Sequence, residues 1–334
     1  MRVRAHAPGR VNLIGDHTDY AGGLVLPMAI DRGATVVLER SGHRVVLESA
    51  DEESPAVVDL DVSDPADVTP PWARFVAGVV REIRPSEGGV GKVHSDLAIG
   101  AGLASSAALE VALALALGFE GSPLQLALAC QRAEQAASGV PCGMMDQLAS
   151  AAGEEGCALL IDCSALSVTP VPLPDGVDVV VVHSGQQRSL SGSAYAERRE
   201  QCEAAAAIVG PLRDADLDDV ATIEDPMLRR RARHVVSENA RVTAFASALA
   251  AEDLAGAGAL MVESHRSLHD DFEVSTTALD ELVVRLLGQP GVHGARLTGA
   301  GFGGCVVALA DPGALAEGWL VSASGPARVV TEAP

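Results

Sequence analysis

Residues 9–20 read GRVNLIGDHTDY, a polar, glycine-punctuated stretch that gathers Arg10, Asp16, His17 and Asp19. Charged, multidentate and closely spaced, these side chains are a hydrogen-bonding set suited to the hydroxyls of a sugar. A solvated loop has the same composition. A second dense segment runs Gly139-Val140-Pro141-Cys142-Gly143-Met144-Met145-Asp146-Gln147, where Asp146 stands in apolar company. A carboxylate in such surroundings is paired or functional.

Two glycine loops carry a different chemistry. Gly100-Ala101-Gly102-Leu103-Ala104-Ser105-Ser106-Ala107 leads straight into an apolar helical pattern. Glycines let a backbone approach an anion, free N–H groups point outward, and the helix dipole adds positive potential. The hydroxyls of Ser105 and Ser106 suit a phosphate or Mg²⁺. A serine N-cap on an ordinary helix needs the same residues. No Lys follows the glycines, so this is not a Walker A loop. The second loop, residues 299–304, matches G-x-G-x-x-G in form, but a strand-like run, 305–309, follows it. A dinucleotide-binding loop opens a helix instead. A tight turn packed on another loop is the expected role.

Three further patterns suggest less. His265 and His269 lie i, i+4 on a predicted helix ahead of Asp270 and Asp271, but the Glu of H-E-x-x-H is missing. Arg229, Arg230, Arg231 and Arg233 are expected on a solvated helix face. Cys130, Cys142, Cys157, Cys163, Cys202 and Cys305 form no C-x-x-C pair and no zinc spacing. They are expected as reduced, mostly buried thiols of a cytoplasmic protein.

These groups need a scaffold, and 334 residues suffice for about two domains. Apolar residues make up 48% of the chain, enough for real cores. The formal net charge is −21, and all but one of the 24 basic residues are Arg, the exception being Lys92. Such a field repels nucleic acid and anionic membranes. Any phosphate must therefore be held by a local device. The first residues show no apolar core of a secretory signal, and no apolar run approaches the ~18 residues of a membrane span.

The pattern predicts strands at 34–39 and 44–48, joined as a hairpin through Ser41-Gly42. It predicts a helix at 72–83, a strand at 93–99, and helices at 107–117 and 124–138, the last ended by Gly139 and Pro141. A strand at 159–162 precedes Pro170, Pro172 and Pro174, read as a connector between domains 1–170 and 171–334. Beyond it come a strand at 177–183, helices at 194–209, 229–251, 255–268 and 279–287, and strands at 292–297 and 305–310. This is an α+β chain of two lobes, with its site expected in the cleft between them.

Taken in order, the segments resemble the GHMP small-molecule kinases and, within that family, the galactokinases. Residues 9–23, GRVNLIGDHTDYAGG, look like the galactokinase signature, and residues 100–110, GAGLASSAALE, like the GHMP phosphate loop. Residues 296–309, RLTGAGFGGCVVAL, look like the C-terminal glycine motif. Residues 139–147, 193–202 (SAYAERREQC) and 264–282 (with SHRSLHDDFEVS) match as well, so the likeness spans residues from about 5 to 310.

The resemblance implies a two-lobed GHMP kinase fold, with an N-terminal lobe of ribosomal-protein-S5-like topology and a ferredoxin-like C-terminal lobe. It implies ATP as phosphoryl donor, its adenine beside Trp72 and its phosphates on Gly100, Ala101, Gly102, Leu103, Ala104, Ser105 and Ser106. By the same match Ser106 and Glu134 hold Mg²⁺. Galactose lies among Asp16, His17, Asp19, Gly143, Asp146 and Tyr195 and is phosphorylated at the anomeric hydroxyl. The third motif is expected to support the phosphate loop and need not touch ligand. Phosphoryl transfer asks for in-line positioning and charge neutralisation more than covalent help. Asp146 is expected to accept or orient the hydroxyl proton, and Arg10 to keep Asp146 ionised and stabilise the γ-phosphate. The implied partner is a small sugar, with no nucleic acid, no membrane and a monomeric chain.

The chain departs from the family in places. Asp16 stands where most galactokinases have Glu, and Ala104 replaces the first of three serines in the phosphate loop. Ala98 stands where Pro is common, and His183-Ser184-Gly185 departs from an Asn-containing turn. Nine residues precede Arg10, where family members have a few tens. These differences motivate an alternative, a GHMP kinase for arabinose, a uronic acid, a heptose or a cyclitol. A non-catalytic sugar sensor on the same scaffold is a third reading.

Overall fold

The computed structural model describes residues 1–97, 102–186 and 192–330. Ala98, Gly100, Ala101 and the end of the strand expected at 93–99 lie outside the described residues. The first half comprises β1 (Arg2–Asn12), β2 (Leu24–Val25), β3 (Pro27–Arg40), β4 (Arg44–Ser49), β5 (Ala56–Asp59), α1 (Ala73–Ile83) and β6 (Gly89–Ser95). It continues with α2 (Ser105–Ala116), α3 (Pro123–Ser138), α4 (Met145–Ala152), β7 (Cys157–Asp162) and β8 (Ser167–Pro172). The second half comprises β9 (Asp178–His183), α5 (Gly192–Val209), α6 (Leu217–Ala221), α7 (Pro226–Ala250), α8 (Leu254–Asp270), α9 (Thr277–Leu287), β10 (Val292–Leu297), β11 (Cys305–Ala310), β12 (Trp319–Val321) and β13 (Arg328–Val330).

The first sheet runs β13-β1-β3-β6-β4-β5. The expected hairpin between β3 and β4 does not form, because β6 lies between them, antiparallel to β3 and parallel to β4. The turn at Ser41-Gly42 instead exchanges backbone hydrogen bonds with Gly88, at 3.0 Å and 2.9 Å, just before β6 begins. A turn signal reports only that the chain reverses; the strand that fills the gap is chosen by packing. Apolar faces of α1 to α4 cover this sheet, with Val76, Val80, Val111, Leu113 and Leu148 among the buried residues.

The second sheet runs β10-β11-β9-β12, every pair antiparallel. A third, β2-β7-β8, stands between the halves. Pro170 and Pro172, expected in a connector, lie in β8 at the edge of that sheet, opposite Leu159 and Cys157. An edge strand tolerates proline because half of its N–H groups have no ladder partner to lose. The boundary expected at 170 thus falls inside β8, and β13 returns from the far end of the chain to pair with β1. One continuous core joins Val11, Leu13 and Ile14 to Val179, Val242, Phe245 and Val307. The halves are fused through apolar side chains, not merely tethered.

Candidate active site

Arg10 sits at an irregularity of β1, where the register with β3 shifts between Pro8 and Arg10. Such a bulge re-aims a side chain. Gly9 permits it: a Cβ there would lie 2.6 Å from the Leu103 carbonyl oxygen. The Arg10 backbone N–H donates to that same oxygen at 3.2 Å. The redirected guanidinium donates from Nη1 to the Gly102 carbonyl at 2.5 Å. From Nε and Nη2 it grips Asp146 Oδ1 and Oδ2 at 2.8 Å and 2.6 Å. This is a bidentate, charge-assisted pair, the strong form of the Arg–carboxylate contact. Asp146 lies in the first turn of α4. The pair opens on one side only: the Arg10 side chain is 4% exposed and that of Asp146 30%.

Both residues line a cleft of about 480 Å³ that reaches from Trp72 to Tyr195. At the Trp72 end, the indole N–H donates to the Ser54 carbonyl at 2.9 Å, which fixes one edge of the ring. Leu103, Ala104, Ser105 and Ser106 line the middle. The N-cap of α2 is Ala104, in the left-handed region at φ 60°, and it supplies no side-chain cap. Ser105 and Ser106 are already inside the helix. The serine N-cap reading therefore gives way, and an uncapped N-terminus faces the cleft with its dipole.

Ser106 Oγ donates to Glu134 Oε1 at 2.8 Å. Gln147 Nε2 donates to the other oxygen of Glu134 and, at 3.3 Å, to Glu110 Oε2. Burial, then the nearby Asp146 charge, raises the Glu134 carboxyl above its ordinary value. Glu110 is fully buried and is pushed well up by burial and by Glu134. This carboxylate cluster faces one described cation, Arg10, through Asp146 and Glu134.

At the other end stand Asp19, His17, Gly143 and Tyr195. Gly143 passes so close to Asp19 that a Cβ would lie 1.7 Å from Oδ2, so any side chain there would push the carboxylate aside. Burial, then the Asp146 charge, pushes the Asp19 carboxyl up to about 6. His17, itself at φ 66°, donates from Nε2 to the Ala300 carbonyl at 3.1 Å, which leaves Nδ1 to accept from the Tyr20 hydroxyl at 3.0 Å. Its ring packs 4.8 Å from that of Phe272 and 5.6 Å from that of Tyr195.

The expectation that Asp16 offers its carboxylate to a sugar meets a different geometry. Asp16 lines the cleft but is 1% exposed. Oδ1 accepts from the Gly299 N–H at 3.0 Å, and Oδ2 lies 2.7 Å from Arg296 Nη2. The third glycine motif braces the segment around Asp16 and His17, and its Gly299 and Ala300 line the cleft.

Sequence reasoning passed over Gln147, Glu110, Arg296 and Glu238. The signal for Glu110 was present, a lone charge inside AALEVALALA. Arg231, expected in solvent, is 2% exposed, donating to Gln201 at 2.7 Å and to Glu273 at 2.5 Å. His265 accepts from the Leu297 N–H at 3.3 Å and faces Asp280. Among the described residues no group of three His, Cys, Asp or Glu could hold a metal by itself. No disulfide forms among the described residues, which include all six cysteines.

Three family models match successive parts of the chain. The galactokinase galactose-binding signature covers residues 2–40, the GHMP kinases N terminal domain 74–154 and the GHMP kinases C terminal domain 245–319. Galactokinase of Chloroflexus aggregans is 44% identical over 92% of this chain and 83% of its own. That of Homo sapiens is 44% identical over the same shares. The chain belongs to the galactokinase family. The crystal structure of Lactococcus lactis galactokinase complexed with galactose matches this galactokinase-family chain with a TM-score of 0.90 at 28% identity, over 98% of this chain and 95% of that one. A mevalonate kinase, at 20% identity and a TM-score of 0.67 over 94% and 92%, shares the fold. The α+β, two-lobed GHMP kinase architecture and the use of ATP as substrate follow from family membership. No helix of the described residues is long and apolar enough to cross a membrane.

Proposed function

We propose that this chain transfers the γ-phosphoryl group of ATP to the anomeric hydroxyl of galactose, giving galactose 1-phosphate and ADP. The observation that carries the reading is the Arg10–Asp146 pair, placed between the uncapped N-terminus of α2 and the polar end of the cleft. The adenine lies beside Trp72 and the phosphates lie along Gly102 to Ser106. The sugar lies among His17, Asp19, Gly143, Asp146 and Tyr195, all of which line the cleft. Asp146 accepts the hydroxyl proton from its exposed side. Arg10 holds Asp146 in line with the α2 N-terminus and adds positive charge where the γ-phosphate develops negative charge.

A divalent cation fits this arrangement. Ser106 Oγ and Glu134 Oε1 are hard oxygen donors 2.8 Å apart, and the buried Glu110 Oε1 beside them has no partner in an acidic cluster. Mg²⁺ takes one or two protein oxygens and completes its shell with substrate phosphates and water. Bound there, it would neutralise charge on the β- and γ-phosphates. A monomer is the proposed working unit. Six cysteines outside any disulfide suit a reducing compartment, the cytoplasm.

The test is ADP release with Mg-ATP over galactose, glucose, arabinose, galacturonate and no sugar. Turnover on galactose alone is the expected result. Turnover on another sugar would replace the substrate and keep the chemistry. Nucleotide binding with silence on every sugar would point to an untested substrate or a sensor.

A further inference from the structure

Segment 12–17 carries Asp16 and His17, and the second half of the chain grips it repeatedly. Thr298 Oγ1 accepts from the Asn12 N–H at 3.2 Å and donates to the Asn12 carbonyl at 2.9 Å. Arg296 Nη1 donates to the Leu13 carbonyl at 3.1 Å. Glu238 Oε1 accepts from the Gly15 N–H at 3.0 Å and from Ser264 Oγ at 2.5 Å. His234 Nε2 donates to the Asp16 carbonyl at 3.1 Å. Arg296 is fully buried, and its counter-charges are Asp16 at 2.7 Å and Glu238 at 3.9 Å. Glu238 is itself held by Arg241 at 2.7 Å. The result is a sealed, balanced set of two guanidiniums and two carboxylates. A buried charge left without its partner is strongly unfavourable, so neither Asp16 nor Arg296 is free to turn elsewhere.

We propose that Asp16 is a positioning residue and not a sugar ligand: its ion pair with Arg296 fastens segment 12–17 to the second half and so sets where His17 and Asp19 stand in the sugar end of the cleft. The inference deepens the functional reading and rests on its placement of the sugar. Asp16 Oδ1 accepts from Gly299, Oδ2 is ion-paired with Arg296 at 2.7 Å without hydrogen-bond geometry, and the side chain is sealed from solvent. Asp19, three residues on, leans across Gly143 into the cleft instead. Asp16 acts on the sugar through the backbone it holds.

A double-mutant cycle on galactose affinity separates the two roles. Calorimetry is run on wild type, Asp16→Asn, Arg296→Gln and the double variant, with ADP affinity as the internal control. A positioning pair predicts that Asp16→Asn weakens galactose, because Arg296 is left buried without its counter-charge and displaces the segment. Removing both charges then recovers at least about tenfold of that loss, within the range measured for coupled neighbours. ADP affinity stays within about twofold throughout. A double variant that binds galactose no tighter than Asp16→Asn would overturn the proposal, because a lost sugar contact is not restored by changing Arg296. Thr298→Val supplies a second arm that leaves both charges in place. It loosens the same segment and is expected to weaken galactose several-fold; an unchanged affinity also counts against the proposal. If wild type binds no galactose, the functional reading fails first, and the cycle is run with the sugar that turns over in the panel.

Discussion

Two arginine–aspartate pairs stand at the same cleft and behave as opposites. Arg10 meets Asp146 at 2.6 Å, and Arg296 meets Asp16 at 2.7 Å. The side-chain exposures are 4% and 30% in the first pair, and 0% and 2% in the second. The first carboxylate turns an edge to the cleft, where a substrate hydroxyl can reach it. The second turns both oxygens inward, onto Arg296 and the Gly299 N–H. Ion-pair chemistry is shared, so access decides the role: an open pair can exchange a proton, whereas a sealed pair can only hold structure.

Loss of charge at the open pair is the harshest test of that contrast. Asp146→Asn should keep the fold and sugar binding but lower kcat on the order of 10² to 10⁴. Near-normal turnover would remove Asp146 from the proton transfer. At the sealed pair the injury should be to stability. Arg296→Met leaves Asp16 uncompensated and is expected to cost about 3–5 kcal/mol in urea unfolding. Asp146→Asn should cost clearly less in the same assay, and equal losses would erase the distinction between the pairs.

A smaller effect is expected from Gly143→Ala. The new methyl would fall 1.7 Å from Asp19 Oδ2, so the carboxylate must swing away. The sugar KM should rise, by up to about 10²-fold, with the ATP KM little changed. A sugar KM that does not move would place Asp19 outside the sugar contacts.

The mildest test uses pH, because the two ends have opposite signs. Asp19 is pushed from 3.8 up to about 6, so the folded state holds that proton more tightly. Its contribution to stability therefore falls as pH rises from about 4 to about 6. Glu238 is pulled down to about 2, Arg241 being the largest of the groups that lower it. Its contribution is present above its ordinary value of 4.5 and is lost as pH falls toward 2. At pH 7 Asp19→Asn should raise the urea midpoint and Glu238→Gln should lower it. Shifts in the same direction would contradict the assignment.

Much of the site was legible because its residues are local in sequence. Arg10, His17 and Asp19 share one segment, Gly143 and Asp146 another, and the glycine loop precedes its helix directly. Helices at 72–83 and 124–138 were legible too, because their apolar spacing and, for the second, the stop at Gly139 are local signals; they appear as α1 and α3. The misreadings are non-local. The Ser41-Gly42 turn gave no hint that β6, nearly fifty residues on, would part β3 from β4. The arginine run looked solvated, yet Arg231 is buried against Asp271 and Glu273. Nothing near Asp16 in sequence announces that its carboxylate faces Arg296 and Gly299.

By itself, then, the sequence determined the candidate groups for the chemistry, most of the helices and strands that carry them, and the family. Periodicity, glycine placement and motif order are written residue by residue. The tertiary structure decided which carboxylates are open and which are sealed. It did so by bringing α7, α8 and β10 against segment 12–17, and by sending β13 back to β1. Burial and charge pairing depend on neighbours hundreds of residues apart, and a carboxylate's role follows from those neighbours, not from its own type.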